Sequence, residues 1–277
     1  MIGLAEALLF AVAAGLIGSI LGLGGAMILT PVLVYFGVPI KYAIAASMVA
    51  IIATSSGSAS SYVRDGLSNV RAAFFLELFT SVGAIVGAVI TTLVAPASFL
   101  YFLFAGFLAT SFYGLTGRVR SPPAGPTTQD ALSQSLSLEG SYPDRASGQE
   151  VQYKLSRPLL AGPAMFVAGL AAGMLGIGGG AFKTAVQELI MGMPSKVATA
   201  TSNFMIGMTA LAGASVYFSS GLIYLDLAAP LAIGTTIGAF VGARFLPRLE
   251  DKALRVLFLV VLAVLMVEMV YKGLSPA

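Results

Sequence analysis

The sequence predicts an all-α polytopic membrane protein with two inverted-topology repeats, and three observations lead to that class. The 277 residues are 57% hydrophobic and only 10% charged, with a mean hydropathy of +0.93, whereas soluble domains are about 45–50% apolar and about 25% charged. The apolar residues fall into two sets of long stretches around a polar segment, and the two sets match each other. A soluble chain of this length could not cover so much apolar surface, so its solvent is a lipid bilayer.

The missing residue types exclude several functions. The chain has no Cys and no His, which removes the usual ligands of zinc, haem and iron–sulfur clusters and the base of a Ser–His intramembrane protease. We therefore expect no enzymatic activity, no metal and no cofactor. The net charge of +3 does not indicate a nucleic-acid partner, because Lys and Arg collect on the cytoplasmic side of membrane proteins.

Each set contains four apolar stretches, and the first of each set is too long for one helix. A helix needs about 20 apolar residues to cross the hydrocarbon. The stretches lie at 4–36, 39–62, 72–94 and 97–117, and at 158–191, 196–219, 225–246 and 252–271. Glycine clusters at 22–25 and 176–180 interrupt the two long stretches. We therefore predict, in each repeat, a glycine-broken first helix with a half-helix, and three further transmembrane helices.

The two repeats occupy residues 1–117 and 158–277, and a polar linker, 118–157, joins them. The linker is rich in Ser, Pro, Gly and charged residues, so it cannot lie in lipid, and its low hydrophobicity predicts a flexible segment. A short amphipathic helix near residues 129–138 is the one element that we expect within it.

The two sets are repeats of one another. The matched pairs, with one residue inserted after the fifth pair, include Gly22/Gly176, Gly24/Gly178, Gly25/Gly179, Leu29/Lys183, Thr30/Thr184, Pro39/Pro194, Lys41/Lys196, Ser47/Ser202, Thr54/Thr209, Tyr62/Tyr217, Gly83/Gly238 and Gly87/Gly242. Apolar segments often resemble each other by chance, but Gly, Pro, Lys and Tyr rarely keep register over so long a stretch. We interpret the chain as an internal duplication.

Basic residues indicate that the repeats are inverted. The loop after the second stretch carries Arg64 and Arg71 in the first repeat and no basic residue in the second, whereas the following loop shows the opposite distribution. Because basic loops lie in the cytoplasm, equivalent loops lie on opposite sides of the membrane. The linker is then cytoplasmic and both termini are outside. Inversion requires an odd number of crossings per repeat: five if the half-helix counts as one, three if the first stretch is re-entrant.

Inverted repeats with broken helices are typical of secondary transporters, whose substrate lies near the membrane midplane. A broken helix exposes unpaired N–H groups at the start of the next segment, and these groups and the helix dipole favour an anion. Close helix packing is the alternative role for glycine, and we favour it for Gly83, Gly87, Gly238 and Gly242. For the two clusters we favour the broken helix.

Polar side chains that follow the clusters are candidates for the rest of the site. Serine and asparagine could donate hydrogen bonds to an anion, although hydroxyls in membrane helices more often bond their own backbone or join helices. Lys183 could attract the anion, pair with Glu188 or reach the surface. Glu77 could carry a proton or serve as the counter-ion of Lys183, since ionisable groups in a membrane are functional candidates. The predicted substrate site comprises Gly24, Gly25, Ala26, Gly178, Gly179, Gly180, Ser47, Ser202, Asn203 and Lys183, with Glu77 as the candidate for proton coupling.

The two segments at 15–25 and 169–180 have a G-x-x-G-x-x-x-G-x-G-G-like pattern. Together with the half-helices and polar-bearing spans that follow, they resemble the TauE/SafE (TSUP) family of sulfite and organosulfonate exporters, and Pro31 also fits the family's first repeat. The resemblance implies export of small sulfur-containing anions across a prokaryotic cytoplasmic membrane. The second segment has Ala172 in place of Gly18 and Ala185 in place of Pro31, and the linker is long. These departures leave the substrate open.

The sequence therefore predicts a secondary transporter that exports sulfite, or an organosulfonate such as sulfoacetate, by alternating access, driven by a proton gradient or the membrane potential. The alternatives are a passive anion channel of the same fold and a non-transporting membrane scaffold or sensor. The expected partners are the small anion and the lipid bilayer, without nucleic acid. Both a monomer and a homodimer are compatible with the sequence.

Overall fold

The computed structural model describes residues 4–20, 26–116, 129–144, 149–245 and 251–274, and helices make up most of them. The first set consists of α1 (Leu4–Ile20), α2 (Ala26–Tyr35), α3 (Ile40–Arg64), α4 (Val70–Leu93) and α5 (Ala97–Thr116). The linker contains α6 (Ala131–Ser135), β1 (Gly140–Asp144) and β2 (Gln149–Tyr153). The second set consists of α7 (Pro158–Leu175), α8 (Gly180–Leu189), α9 (Ser195–Ser219), α10 (Leu225–Phe245) and α11 (Asp251–Leu274).

This order of elements confirms the predicted all-α membrane class. Each set has a long helix, a half-helix of 10 residues and three further long helices. Within the described residues, α3, α4 and α7 are long and apolar enough to cross a membrane, and shorter apolar runs lie in α1, α5 and α10. The glycine-interrupted stretches therefore divide into a helix and a half-helix, as their excess length predicts.

Backbone angles that favour glycine set the break in the second set. Gly176, Gly178 and Gly179 have φ angles of 66°, 69° and 67°, in the left-handed region that other residues disfavour. Gly176 ends α7 and donates its N–H to the carbonyl oxygen of Ala172 at 2.9 Å, and α8 begins directly after Gly179. The glycine cluster therefore stops one helix and starts the next. The first cluster lies outside the described residues.

The helix pairs that pack together are matched between the two sets. α1 packs on α10 and α7 packs on α4, and these are equivalent pairs because α1 corresponds to α7 and α4 to α10. α3 packs on its counterpart α9, and α5 packs on its counterpart α11. Ile51, Ile206 and Ala210 form a small buried cluster where α3 and α9 cross. The packing follows the duplication that the sequence predicts.

Glycines allow the paired helices to approach at backbone distance. A Cβ atom at Gly15 would lie 2.2 Å from the carbonyl oxygen of Thr235, and one at Gly169 would lie 2.1 Å from that of Thr80. The two contacts occupy matched positions of the two sets. Glycines predicted to pack closely also meet the backbone of the facing helix: Gly83, Gly87 and Gly238. The surroundings of Gly242 lie outside the described residues.

The described part of the linker, 129–144 and 149–157, contains a hairpin in addition to the short helix that its sequence predicts. α6 forms within the predicted range, and β1 pairs with β2 in an antiparallel hairpin. Leu138, Tyr142 and Leu155 are buried in one cluster with residues of α4, α7 and α9. The side-chain amide of Asn69, which caps α4, donates to the Tyr153 hydroxyl at 3.1 Å. A few buried side chains thus hold an otherwise polar segment against the helix ends.

Candidate functional site

The glycine break of the second set lies against the crossing of α3 and α9. A Cβ atom at Gly176 would lie 2.8 Å from the carbonyl oxygen of Ile44, which belongs to α3. One at Gly178 would lie 2.8 Å from Cγ2 of Ile206 and 3.6 Å from Cδ1 of Ile51. The start of α8 is therefore enclosed by one helix from each set.

The glycine candidates differ in how far the structure describes them. Those of the second set are all buried: Gly178, Gly179 and Gly180. The N–H groups in the first turn of α8 therefore begin inside the protein. In the first set, Gly24 and Gly25 lie outside the described residues, and Ala26 is the first residue of α2.

The two candidate serines make equivalent hydrogen bonds. Oγ1 of Thr30 in α2 lies 2.8 Å from Oγ of Ser47 in α3. Oγ1 of Thr184 in α8 lies 3.0 Å from Oγ of Ser202 in α9. Each pair joins a half-helix to the long helix that follows it, a common role of hydroxyls in membrane proteins. Both serines are buried beside the half-helices, at 0% and 2% exposure.

Asn203 links the central helices. Its side-chain Nδ2 donates to the carbonyl oxygen of Thr199, one turn earlier in α9, at 2.9 Å. The backbone carbonyl oxygen of Asn203 accepts a hydrogen bond from Oγ of Ser55 in α3, also at 2.9 Å. An amide nitrogen carries two donors, so this contact leaves one N–H of Asn203 for another partner.

Lys183 and Glu77 meet on one hydroxyl. The Lys183 ammonium in α8 donates to Oγ1 of Thr209 in α9, and that hydroxyl lies 2.7 Å from Oε1 of Glu77 in α4. Thr80 and Ser81 also donate to the carboxylate, at 2.8 and 2.7 Å. Lys183 is 0%, Thr209 1% and Glu77 5% exposed. Both charged groups are therefore inside the protein and bridged by Thr209.

This geometry explains how the charge of Lys183 is accommodated inside the protein. A buried charge is tolerated when it is paired and hydrogen-bonded, and Glu77 supplies the opposite charge across Thr209. Lys183 does not reach the surface, and the nearby Glu188 instead hydrogen-bonds with Ser195. The network joins α4 of the first set to α8 and α9 of the second.

Thr209, Thr80 and Ser81 are the members of this network that sequence reasoning did not select. Thr209 has a matched counterpart, Thr54, whose hydroxyl donates to the carbonyl oxygens of its own helix. Oγ1 of Thr209 also lies 3.0 Å from the carbonyl oxygen of Met205 in its own helix, but its single hydrogen serves the Glu77 carboxylate. The duplication therefore marks the position, and only the packing of α4 and α8 distinguishes the two threonines.

The half-helices differ between the sets. α8 buries Lys183 and, one turn later, Gln187, whereas α2 has Leu29 and Leu33 at these positions. Nε2 of Gln187 lies 3.2 Å from Sδ of Met205, and its Oε1 has no hydrogen-bond partner among the described residues. The buried polar groups of the half-helices are therefore concentrated in the second set.

Comparisons with known proteins give a consistent class. The model of the family described as "Sulfite exporter TauE/SafE" matches residues 7–269. "Probable membrane transporter protein YunE" of Bacillus subtilis (strain 168) is 25% identical over 269 residues, which cover 94% of this chain and 95% of the relative. "Probable membrane transporter protein YdhB" of the same organism is 26% identical over 232 residues, which cover 83% and 85%. No solved structure matches the chain.

Proposed function

Because the chain belongs to the TauE/SafE family and is therefore a multi-pass membrane transporter, we propose that it exports a small sulfur-containing anion by alternating access. The substrate is sulfite or an organosulfonate such as sulfoacetate. The linker and the loop that carries Arg64 face the cytoplasm, and both termini face outward, in agreement with the placement of basic residues. The two sets are inverted repeats that move about a site between them.

The proposed anion site lies at the start of α8. The N–H groups of a first helical turn have no partner within the helix, and the helix dipole gives them a partial positive charge. The backbone N–H of Lys183 donates to the carbonyl oxygen of Gly179 at 3.0 Å. The backbone N–H groups that precede Lys183 in the first turn of α8 can therefore bind an anion. Ser202 and Asn203 approach from α9. The matching groups of the first set are Gly24, Gly25, Ala26 and Ser47.

The observation that carries this proposal is the buried network of Lys183, Thr209 and Glu77. Ionisable groups inside a membrane are costly and mark transport pathways. The duplication places Leu29 and Ala232 at the positions equivalent to Lys183 and Glu77. Each of the two charges therefore occurs in only one of the two sets. They also come from different sets. Relative motion of the sets would change their separation, which gives the two conformations different energies.

Glu77 is the proposed proton-coupling residue. A proton on its carboxylate and an anion beside Lys183 would each neutralise one member of the same charge pair, so their binding is linked. The membrane potential adds a second driving force, because an anion that leaves a cell negative inside gains about 2.3 kcal/mol per charge at 100 mV.

Ligand-dependent melting of the purified protein in detergent tests the anion site. Sulfite, sulfate, thiosulfate, sulfoacetate and taurine are compared with acetate, and a ligand at a hundred times its Kd adds about 2.7 kcal/mol of stability. We expect a sulfur anion to raise the melting temperature, and we expect Lys183→Gln and Asn203→Ala to abolish the shift. Lys41→Gln is the matched control, since Nζ of Lys41 reaches the carbonyl oxygen of Thr92 at 3.4 Å, outside the site.

A folded wild-type protein that no sulfur anion stabilises would contradict the proposed site. Flux measurements separate the two alternatives. A passive channel of the same fold would conduct large currents without proton dependence, and a scaffold or sensor would bind the anion without moving it across the membrane.

A further inference from the structure

A cavity of about 590 Å³, shallow and open along one side, lies between the C-terminal half of α3 and the facing side of α9. Ser55 and Gly207 line its inner end, where the Ser55 hydroxyl donates to the carbonyl oxygen of Asn203. Arg64 lines its outer end, about 13 Å further along α3 at a rise of 1.5 Å per residue. The cavity therefore extends from Ser55, the hydrogen-bond partner of Asn203, to the basic end of α3.

The lining of the cavity is mainly apolar, with its polar groups on one side. The α9 side carries Phe204, Met208 and Leu211, and the α3 side carries apolar residues together with the hydroxyls of Ser55, Ser56 and Ser60. The lining therefore suits a ligand that combines an apolar body with a polar group.

The serine hydroxyls present oxygen atoms rather than hydrogens to the cavity. Oγ of Ser56 donates to the carbonyl oxygen of Ile52 at 2.7 Å, and Oγ of Ser60 donates to that of Gly57 at 2.9 Å. A hydroxyl has one hydrogen and two lone pairs, so after these bonds it can only accept. The serine side therefore has lone pairs available for water or for a hydroxyl or amino group of a ligand.

Arg64 is the cationic group of the cavity. Its side chain is 80% exposed, and its Nε lies 3.8 Å from Oδ1 of Asp65, which is too long for a hydrogen bond. The forked N–H groups of arginine match the oxygens of a carboxylate, sulfonate or phosphate. An acid group therefore fits at the outer end of the cavity.

This combination occurs once in the duplicated pair of helices. The α9 positions that match Ser56, Ser60 and Arg64 are Leu211, Ser215 and Ser219. A cationic group at one helix end serves one side of the membrane. In the proposed topology this is the cytoplasmic side, from which an exported substrate is loaded.

We propose that the cavity is a loading site for an organic anion in which one acid group is joined to an apolar body. The acid group binds Arg64, and the apolar body packs on Phe204 and Met208. The volume supports this class, because pockets for organic ligands measure about 300–1,000 Å³, far more than a bare oxyanion fills. The inference rests on the proposed function and selects, among its organosulfonates, those with one acid group on an apolar body; sulfite and sulfoacetate bind this loading site weakly.

Thiol labelling tests the site, because the chain contains no cysteine. Ser60→Cys places a single thiol in the cavity wall, and Ser220→Cys places one at the exposed C-terminal end of α9 as a control. Both full-length variants are treated with N-ethylmaleimide in detergent. We expect saturating hexanesulfonate to slow the labelling of Ser60→Cys at least tenfold and to leave Ser220→Cys unchanged. Sulfate, a bare oxyanion that does not react with maleimide, and uncharged hexanamide should need at least tenfold higher concentrations for half-maximal protection.

Adding Arg64→Gln to Ser60→Cys tests the role of the guanidinium. Because Arg64 is largely exposed, the variant should fold, and half-maximal protection should need at least tenfold more hexanesulfonate. The proposal is overturned if Ser60→Cys does not label or is not protected. Equal protection by hexanamide or sulfate, or protection that Arg64→Gln leaves unchanged, would also overturn it.

Anion flux in proteoliposomes separates this inference from the function on which it rests. Sulfite flux without protection of Ser60→Cys would overturn the loading site and leave the transport proposal intact. Protection by hexanesulfonate without flux of any sulfur anion would support the binding site and contradict the transport proposal.

Discussion

Replacement of Lys183 by Met would remove one charge of the buried network and keep an unbranched, apolar side chain. The Glu77 carboxylate would retain the hydroxyls of Thr80, Ser81 and Thr209 but lose its opposite charge. Removal of one partner from a buried ion pair costs about 3–5 kcal/mol. Because Thr209 separates the two charges, we expect the free energy of unfolding of Lys183→Met in detergent to fall by about 3 kcal/mol, the lower end of this range.

The double variant Lys183→Met/Glu77→Gln distinguishes a coupled pair from two independent residues. Glutamine can still accept hydrogen bonds from the neighbouring hydroxyls, and no buried charge is left unpaired. Residues in one network have coupling energies of about 0.5–3 kcal/mol, so the double variant should be more stable than the sum of the single losses predicts. Lys41→Met is the matched control and should cost about 0–1 kcal/mol, because Lys41 is half-buried outside the network.

Unfolding of the four proteins in one detergent, followed by far-UV circular dichroism, gives the required free energies. Strictly additive losses would refute the energetic link between Lys183 and Glu77. A melting curve of Lys183→Met that overlies that of the wild type would refute the burial of the ammonium.

Three further variants test the parts of the fold that position the site. Asn69→Ala removes the cap of α4 and should cost about 0.5–2 kcal/mol in chemical unfolding, whereas a Ser replacement should not. Gly169→Ala places a Cβ 2.1 Å from a carbonyl oxygen of α4 and should cost about 1–3 kcal/mol; Gly106→Ala, with open space around it, should not lower the melting temperature. The Ser133 hydroxyl holds the pKa of Asp130 below its ordinary value, so this carboxylate stabilises α6 above the ordinary pKa, and the effect is lost as the pH falls through the lowered one. Hydrogen exchange of α6 should show this loss, and Asp130→Asn should remove it.

Hydropathy and glycine spacing were sufficient to predict the helices and the break of the second set. Apolar stretches longer than one membrane crossing require an interruption, and glycine is the residue that allows it. The linker hairpin could not be predicted, because its strands are short and polar and contain Pro143. Its order depends on the burial of a few side chains, such as Leu138 and Tyr142, against helices distant in sequence.

The candidate site was partly accessible from sequence. Lys183 and Glu77 are conspicuous because charges are rare in apolar stretches, but their common partner Thr209 is one of many hydroxyls that bond their own helix. The duplication identified Ser47 and Ser202 as equivalent positions, and the two serines make matching hydrogen bonds. Their threonine partners on the half-helices follow from packing, which a periodic pattern does not specify.

Efflux of radiolabelled sulfite from proteoliposomes tests the central claim most directly. The vesicles are loaded with sulfite, and a potassium gradient with valinomycin sets the interior at −100 mV, which favours anion exit by about 2.3 kcal/mol per charge. The account predicts saturable efflux that becomes faster when the potential is applied. Lys183→Met should abolish this efflux, and Glu77→Gln should alter its pH dependence. Folded, reconstituted wild-type protein that moves neither sulfite nor sulfoacetate, or that moves them without saturation, would contradict it.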